Sequence, residues 1–205
     1  MGIKERRDIE KVEMKKRIKA AAITLIQQEG YEKLSLRKIA SKIEYSPTTI
    51  YLYYKDKAEI ITDMSNDLYG KVESNAADII NTTNAHSIDQ RMSNILKVFI
   101  MSLCSEPEMS KAIMYSGTNV IFSNKMAGSH NTKPSNPGID MLDHFINDGI
   151  AQKALKPNIT NASWMIISAL LGFVMSAIEN ELYRQPDFEK LVGDFVEVLM
   201  GGIRQ

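Results

Sequence analysis

Ser35-Leu36-Arg37-Lys38-Ile39-Ala40-Ser41-Lys42-Ile43-Glu44-Tyr45-Ser46-Pro47-Thr48-Thr49-Ile50-Tyr51-Leu52-Tyr53-Tyr54-Lys55-Asp56-Lys57 reads as two short helices joined by a tight turn. Ser35 stands at an N-cap position before 36–43, whose buried face would be Leu36, Ile39, Ala40 and Ile43. Ser46 followed by Pro47 is a cap with proline at the first helical position, opening a second helix through about Tyr53. Asp56 caps another, along which Ile60, Ile61, Met64, Leu68 and Val72 keep one stripe. Two short helices with a three-residue turn form a helix-turn-helix, the arrangement that lays its second helix in the major groove of DNA. Thr48, Thr49, Tyr51, Tyr53, Tyr54, Lys55 and Lys57 surround that helix with hydroxyls and ammoniums, which suit phosphate oxygens and base edges. The competing reading is that such tyrosines fill a core. Tyr54 is expected to do so, because it lies four residues from Ile50.

Working outward, Ile18, Ala21, Ala22, Leu25 and Ile26 predict a helix from about Val12 to Gln28, ended by Gly30. Downstream, Ile95, Val98 and Phe99 mark one helix, and Pro107 with Met109, Ile113 and Met114 a second. Leu142, Phe145, Ile146 and Gly149 mark a third over 139–151. Gly128 to Gly138, with two prolines and two glycines, reads as a loop. No alternating strand signal and no fixed-period repeat appears, so the chain is expected to be all-α. The last two helices, about 160–183 and 187–203, are the most apolar. The first is apolar on nearly every side and should be buried all round; the second has a wide stripe from Phe188 to Met200. Ser168, Gly172 and Ser176, four apart, would let another helix approach closely. Such a pair from each of two subunits would make a four-helix bundle; core packing within one subunit is the alternative.

The chain has 205 residues, 44% of them hydrophobic, with 25 Lys+Arg against 25 Asp+Glu. That composition excludes a disordered polyelectrolyte. The balance hides an asymmetry: residues 1–57 hold 14 basic and 8 acidic residues, a net +6, and the remainder nets −6. The first quarter is therefore the part suited to a polyanion, with nucleic acid the leading candidate and a membrane surface the competitor. The single Cys104 makes no intramolecular disulfide and fits a reducing cytoplasm. No apolar segment follows the basic start, so no secretory signal is read, and Arg6 stands where a myristoylation signal wants Ser or Thr. The longest apolar stretch, Trp164–Ile178, is 15 residues, short of a bilayer span, so no membrane passage is expected.

The order Gly30-Tyr31, Arg37-x-Ile39-Ala40, Ser46-x-x-Thr49-Ile50-Tyr51-x-Tyr53-Tyr54-x-x-Lys57 resembles the DNA-binding domain of the tetracycline-repressor (TetR) family. The match is close over about 12–60 and architectural beyond. The resemblance implies an N-terminal three-helix helix-turn-helix domain over 1–57 and a helical effector-binding and dimerisation domain over 58–205. It implies that Pro47, Thr48, Tyr51 and Leu52 approach bases with Arg37 reaching in from the preceding helix. Ser35, Thr49, Tyr53 and Lys57 would hold phosphates of a palindromic double-stranded operator. The partner would be a second copy, joined through the last two helices, and a small lipophilic effector would release the DNA. Two residues depart from the pattern: Glu44 stands where the family usually has Gly, at a turn position that often needs φ > 0, and Thr48 where many members have a second Gly.

Among the Met-rich and aromatic residues of 87–180, Tyr115, Phe122, Trp164 and Phe173 are the expected walls of an effector pocket. His144 and Asp140 lie four apart, but two ligands do not make a metal site, and no metal or cofactor is expected. No Gly-rich phosphate loop, Gly-x-Ser-x-Gly elbow or His/carboxylate cluster appears, so no enzyme is expected. The reading from a different class is an all-α protein that binds a small molecule or a partner helix without specific DNA binding. The start, Lys4 to Lys19, is either a basic arm reaching DNA or a solvated helix face.

Overall fold

The apolar residues Ile18, Ala21, Ala22, Leu25 and Ile26 share one face of a helix, and all five are buried in the computed structural model of the protein. The structure describes residues 2–82, 87–116, 137–159 and 161–205. Helix α1 spans Ile3–Glu29, beginning well before Val12. Its first turns carry Lys, Glu and Arg, good helix formers that extend an existing helix without burial. Arg6 pairs with Glu10 at 3.0 Å, and the Glu5 carboxylate accepts the Gly2 N–H at 3.1 Å. Gly30, at φ 84, ends the helix and donates its N–H to the Ile26 carbonyl.

After a 3₁₀ turn at Tyr31–Lys33 come α2 (Leu36–Lys42) and α3 (Pro47–Tyr51), then α4 (Lys57–Thr82). The expected caps are formed: Ser35 Oγ accepts from Lys38 N–H, Ser46 Oγ from Thr49 N–H, and Asp56 Oδ1 from Glu59 N–H. Helix α3 stops at Tyr51, short of Tyr53, because the Leu52 and Tyr53 N–H groups tighten onto the Thr49 and Ile50 carbonyls. The remaining helices are α5 (Ile88–Cys104), α6 (Pro107–Tyr115), α7 (Pro137–Ala151), α8 (Ala162–Glu179) and α9 (Phe188–Ile203). The fold is all-α. Among the described residues the only β pairing is an isolated bridge between Leu155 and Arg204.

The chain divides into two compact units, Met1–Asp67 with Glu108–Val120, and Leu68–Pro107 with Ile121–Gln205. In the first, α1 packs on α2 and α2 on α3 around Ile18, Ile39, Ile50 and Ile60. In the second, α5 packs on α7, α8 and α9, and α7 on α8. The buried face of α5 runs through Met92, Ile95, Leu96, Ile100 and Leu103, leaving Val98 and Phe99 half-buried, because Ile88 and Met92 set its phase. Cys104 lies in this core, and burial pushes its thiol up to about 12. Gly149 of α7 is a position of close approach: a Cβ there would meet Leu155 Cδ1 at 2.5 Å, and Leu155 is itself buried.

One sequence expectation for this unit needs correction. Pro137 and Gly138 open α7 instead of closing the preceding loop, whose residues 128–136 lie outside the described ones. Helix α8 is 18 residues, long and apolar enough by length and composition to cross a membrane, and half of it is buried within the chain. Within the single chain its outer face is uncovered: Trp164, at 48% exposure, and Met165, at 51%, lie there with Ser168, Gly172 and Ser176.

Candidate nucleic-acid interface

The turn between α2 and α3 closes with Ile43 N–H on the Ile39 carbonyl and Tyr45 N–H on the Ala40 carbonyl at 2.9 Å. Glu44 between them takes φ 61. Ile39, Ala40 and Ile50 are fully buried, and Tyr54 nearly so, which fixes α3 against the first unit by one side only. The other side is open: Pro47 and Thr48 are exposed, as are Tyr51 at 57% and Leu52 at 76%. Arg37 on α2 is exposed as well. Ser35, Thr49, Tyr53 and Lys57 are half-buried. Thr49 Oγ1 shares a hydrogen bond with Ser46 Oγ at 2.9 Å. Lys57 Nζ donates to the carbonyls of Tyr31 and Glu32, at 3.0 and 3.2 Å, and sits 4.2 Å from the Tyr31 ring centre. An ammonium has three protons, so one remains for an outside acceptor.

Asp63, which sequence reasoning did not single out, is the hub behind this surface. Its carboxylate accepts the Tyr54 hydroxyl and the Lys15 ammonium, the latter at 3.3 Å, with Lys19 at 3.6 Å; Lys19 also pairs with Asp67. Lys15 lies 4.7 Å from the Tyr54 ring centre. One carboxylate thus ties α1, α4 and the segment leaving α3. The visible signal was an acid inside the apolar stripe of α4. Burial pushes the Asp63 carboxyl up, but the Tyr54 hydroxyl and the Lys19 and Lys15 ammoniums outweigh it and hold it below its ordinary value. Burial, reinforced by Asp63, raises the Tyr54 phenol.

A depressed carboxyl contributes stability that is present above its unfolded value of about 3.9 and is lost as pH falls through the folded value below it. Asp63→Asn is therefore expected to lower stability by about 1–3 kcal/mol at pH 7, the range for hydrogen bonds to charged groups. Urea unfolding at successive pH values should show the difference from the parent chain closing as pH falls through the lowered folded value of Asp63. A gap independent of pH would assign the effect to packing.

Residues 18–64 match the family model of bacterial regulatory proteins, tetR family. The chain carries a tetR-family domain. Solved structures share the whole fold. A protein from Syntrophomonas wolfei described as a TetR-family transcriptional regulator is 16% identical, with a TM-score of 0.68, covering 93% of this chain and 96% of that one. The fatty acid degradation regulator FadR from Bacillus halodurans is 17% identical, with a TM-score of 0.67, over 92% and 95% of the two chains. FadR from Bacillus subtilis, in complex with stearoyl-CoA, is 20% identical, with a TM-score of 0.65, over 91% and 98%. No curated protein matches the chain.

Within the tetR-family domain the strained position is Glu44. An L-residue in the left-handed region costs roughly 1–2 kcal/mol, which glycine avoids while losing some entropy in the unfolded chain. Glu44→Gly is expected to gain about 1 kcal/mol, raising Tm by roughly 2–4 °C in a chain of this size. A calorimetric Tm that stays or falls would mean that the carboxylate itself holds the turn.

Of the residues read as effector-pocket walls, Tyr115, Trp164 and Phe173 lie among the described residues. Tyr115 of α6 is exposed, on a cleft of about 450 Å³ in the first unit that it shares with Ile26, Gly30, Tyr31, Glu108 and Lys111. Trp164 and Phe173 are both on α8 but nine residues apart, hence on opposite sides of it. Phe173 stacks on Phe195 of α9 at 4.2 Å and lies 6.5 Å from Phe188. Phe122 lies outside the described residues. His144 is exposed and faces Asp148, and among the described residues no three metal-ligating side chains come together.

Proposed function

We propose that the chain is a homodimeric transcriptional repressor that binds a palindromic operator and is released by a lipophilic small molecule. The observation that carries this reading is the division of α3: Ile50 packs inward, and Thr48, Tyr51 and Leu52 stand in solvent around a helix that Ser46 caps. In this reading residues 1–57 meet DNA, with Arg37, Pro47, Thr48, Tyr51 and Leu52 at base edges and Ser35, Thr49, Tyr53 and Lys57 at phosphates. Residues 58–205 bind the effector and the second subunit.

Exposed Trp164 and Met165 on α8 and Leu191 and Val198 on α9 support the dimer, because apolar faces of that extent are normally covered. Ser168 and Gly172 allow close approach, and nothing lies within 4 Å of a Cβ built at Gly172. Two-fold symmetry then puts recognition helices in successive major grooves, half-site centres roughly 34–36 Å apart or somewhat more. An effector that favours a wider spacing draws the population off DNA. The stearoyl-CoA held by one structural neighbour illustrates the lipophilic class.

Titrating the chain's own promoter region and a random duplex at rising salt tests the reading. Specific binding should exceed random by about 10³-fold or more and fall steeply with salt. Equal affinity for both duplexes would leave a small-molecule or partner-helix binding protein as the better account.

A further inference from the structure

Tyr45, in the turn between α2 and α3, belongs to two helix-end motifs at once. Ile43 caps the end of α2, so Glu44, at φ 61, is the first residue past the cap and Tyr45 the second. Tyr45 N–H meets the Ala40 carbonyl at 2.9 Å and Glu44 N–H the Ser41 carbonyl at 3.3 Å, the paired bonds of a Schellman ending. Such an ending draws its last residue against the third or fourth residue back from the cap, here Ala40 or Ile39. Ser46 caps α3, so Tyr45 is also the residue before a helix cap, the place from which an apolar side chain staples onto the fourth helical residue, here Ile50. Ile39, Ala40 and Ile50 are fully buried. Both motifs therefore pull the ring of Tyr45 toward the crease between α2 and α3.

The residue is nevertheless 39% exposed. An amphipathic side chain keeps its polar tip in water while its body is covered, so the exposed share is the hydroxyl end. Among the described residues that hydroxyl has no hydrogen-bond partner, whereas the Tyr54 hydroxyl is taken by Asp63. Exposed Pro47 and Thr48 follow Tyr45 by only two and three residues, and consecutive Cα atoms are about 3.8 Å apart, so the tyrosine stands beside the face of α3 proposed to read bases. When the second helix of a helix-turn-helix lies in the major groove, the first crosses the sugar-phosphate backbone. A hydroxyl at the joint between them comes to the lip of the groove. Glu44 beside it is exposed and opposes a phosphate only through water, where charge is strongly screened. We infer that Tyr45 is a further DNA-contacting residue, its hydroxyl donating to one backbone phosphate at the edge of each half-site. The inference rests on the proposed operator binding and adds to it a contact from the turn itself, one that sets the register of α3 instead of reading a base.

The test compares full-length Tyr45→Phe with the parent chain and Tyr51→Ala on the promoter and on a random duplex. Phenylalanine keeps the ring and removes only the hydroxyl, so Tm should not move. Affinity for both duplexes should fall by a similar factor, about tenfold or more, because a hydrogen bond to a charged acceptor is lost at each half-site. The slope of log affinity against log salt should stay the same, because no cation has left the interface. Among the phosphates whose ethylation weakens the parent, one beside each half-site should cease to matter in Tyr45→Phe. Unchanged affinity in Tyr45→Phe, with binding weakened by Tyr51→Ala, overturns the inference and spares the operator reading. A fall confined to the promoter would make Tyr45 a base reader, and a lowered Tm would make its hydroxyl a structural one; either result overturns the phosphate contact. Failure of the parent chain to prefer its promoter overturns both readings.

Discussion

Aspartate at both Leu191 and Val198 is expected to leave the protein monomeric at micromolar concentration and to abolish detectable operator binding, with helical content unchanged. Leu191 is 39% and Val198 78% exposed in the single chain, so neither carboxylate displaces packing there. In the proposed dimer the two-fold axis doubles each substitution, placing four carboxylates in an apolar seam with no cation supplied to meet them. Burying an unpaired charge costs several kcal/mol after relaxation, which exceeds what a helix-pair interface can spare. DNA binding falls with it, because one protomer grips one half-site only. Sedimentation equilibrium and the promoter titration read the two consequences separately. A dimer that persists with both aspartates would remove α9 from the interface.

Ile50→Ala and Tyr51→Ala are expected to give opposite phenotypes from adjacent positions. Ile50 is fully buried, so trimming it leaves a cavity beneath α3 and costs about 2–5 kcal/mol, a large share of the roughly 5–15 kcal/mol of a typical domain. Tyr51 is more than half exposed, so its removal should change stability by no more than about 0.5 kcal/mol. Operator affinity should instead drop by about 1–3 kcal/mol, the range for a base that is no longer read. Denaturant midpoints and duplex titrations on the two variants decide between them. If Tyr51→Ala lowers the midpoint as far as Ile50→Ala, that tyrosine is packing, and the recognition surface must be sought elsewhere.

What could be read in advance was local. Ser35, Ser46-Pro47 and Asp56 announce helix starts because a cap acts over three residues, and Tyr54 is legible as core because it stands one turn from Ile50. The start of α1 was missed because a charged helix has no apolar period to betray it. Which face of α8 its own chain leaves open was legible only from Ser168, Gly172 and Ser176, because Trp164 and Met165 look like the core residues beside them when every side is apolar. Asp63 and the carbonyls under Lys57 act across 48 and about 25 positions, which no short-range pattern encodes. Tyr115, Trp164 and Phe173 were grouped by composition alone; in the single chain Tyr115 and Trp164 are exposed and Phe173 stacks on Phe195.

The chain's single sulfhydryl, Cys104, is shut in the second unit's core with its ionisation suppressed. Thiol-directed dyes and spin labels should therefore pass over the parent chain at neutral pH. A cysteine introduced at an outward position such as Val12 would be the sole reactive handle, and a fluorophore there would report directly on what the leading turns of α1 touch.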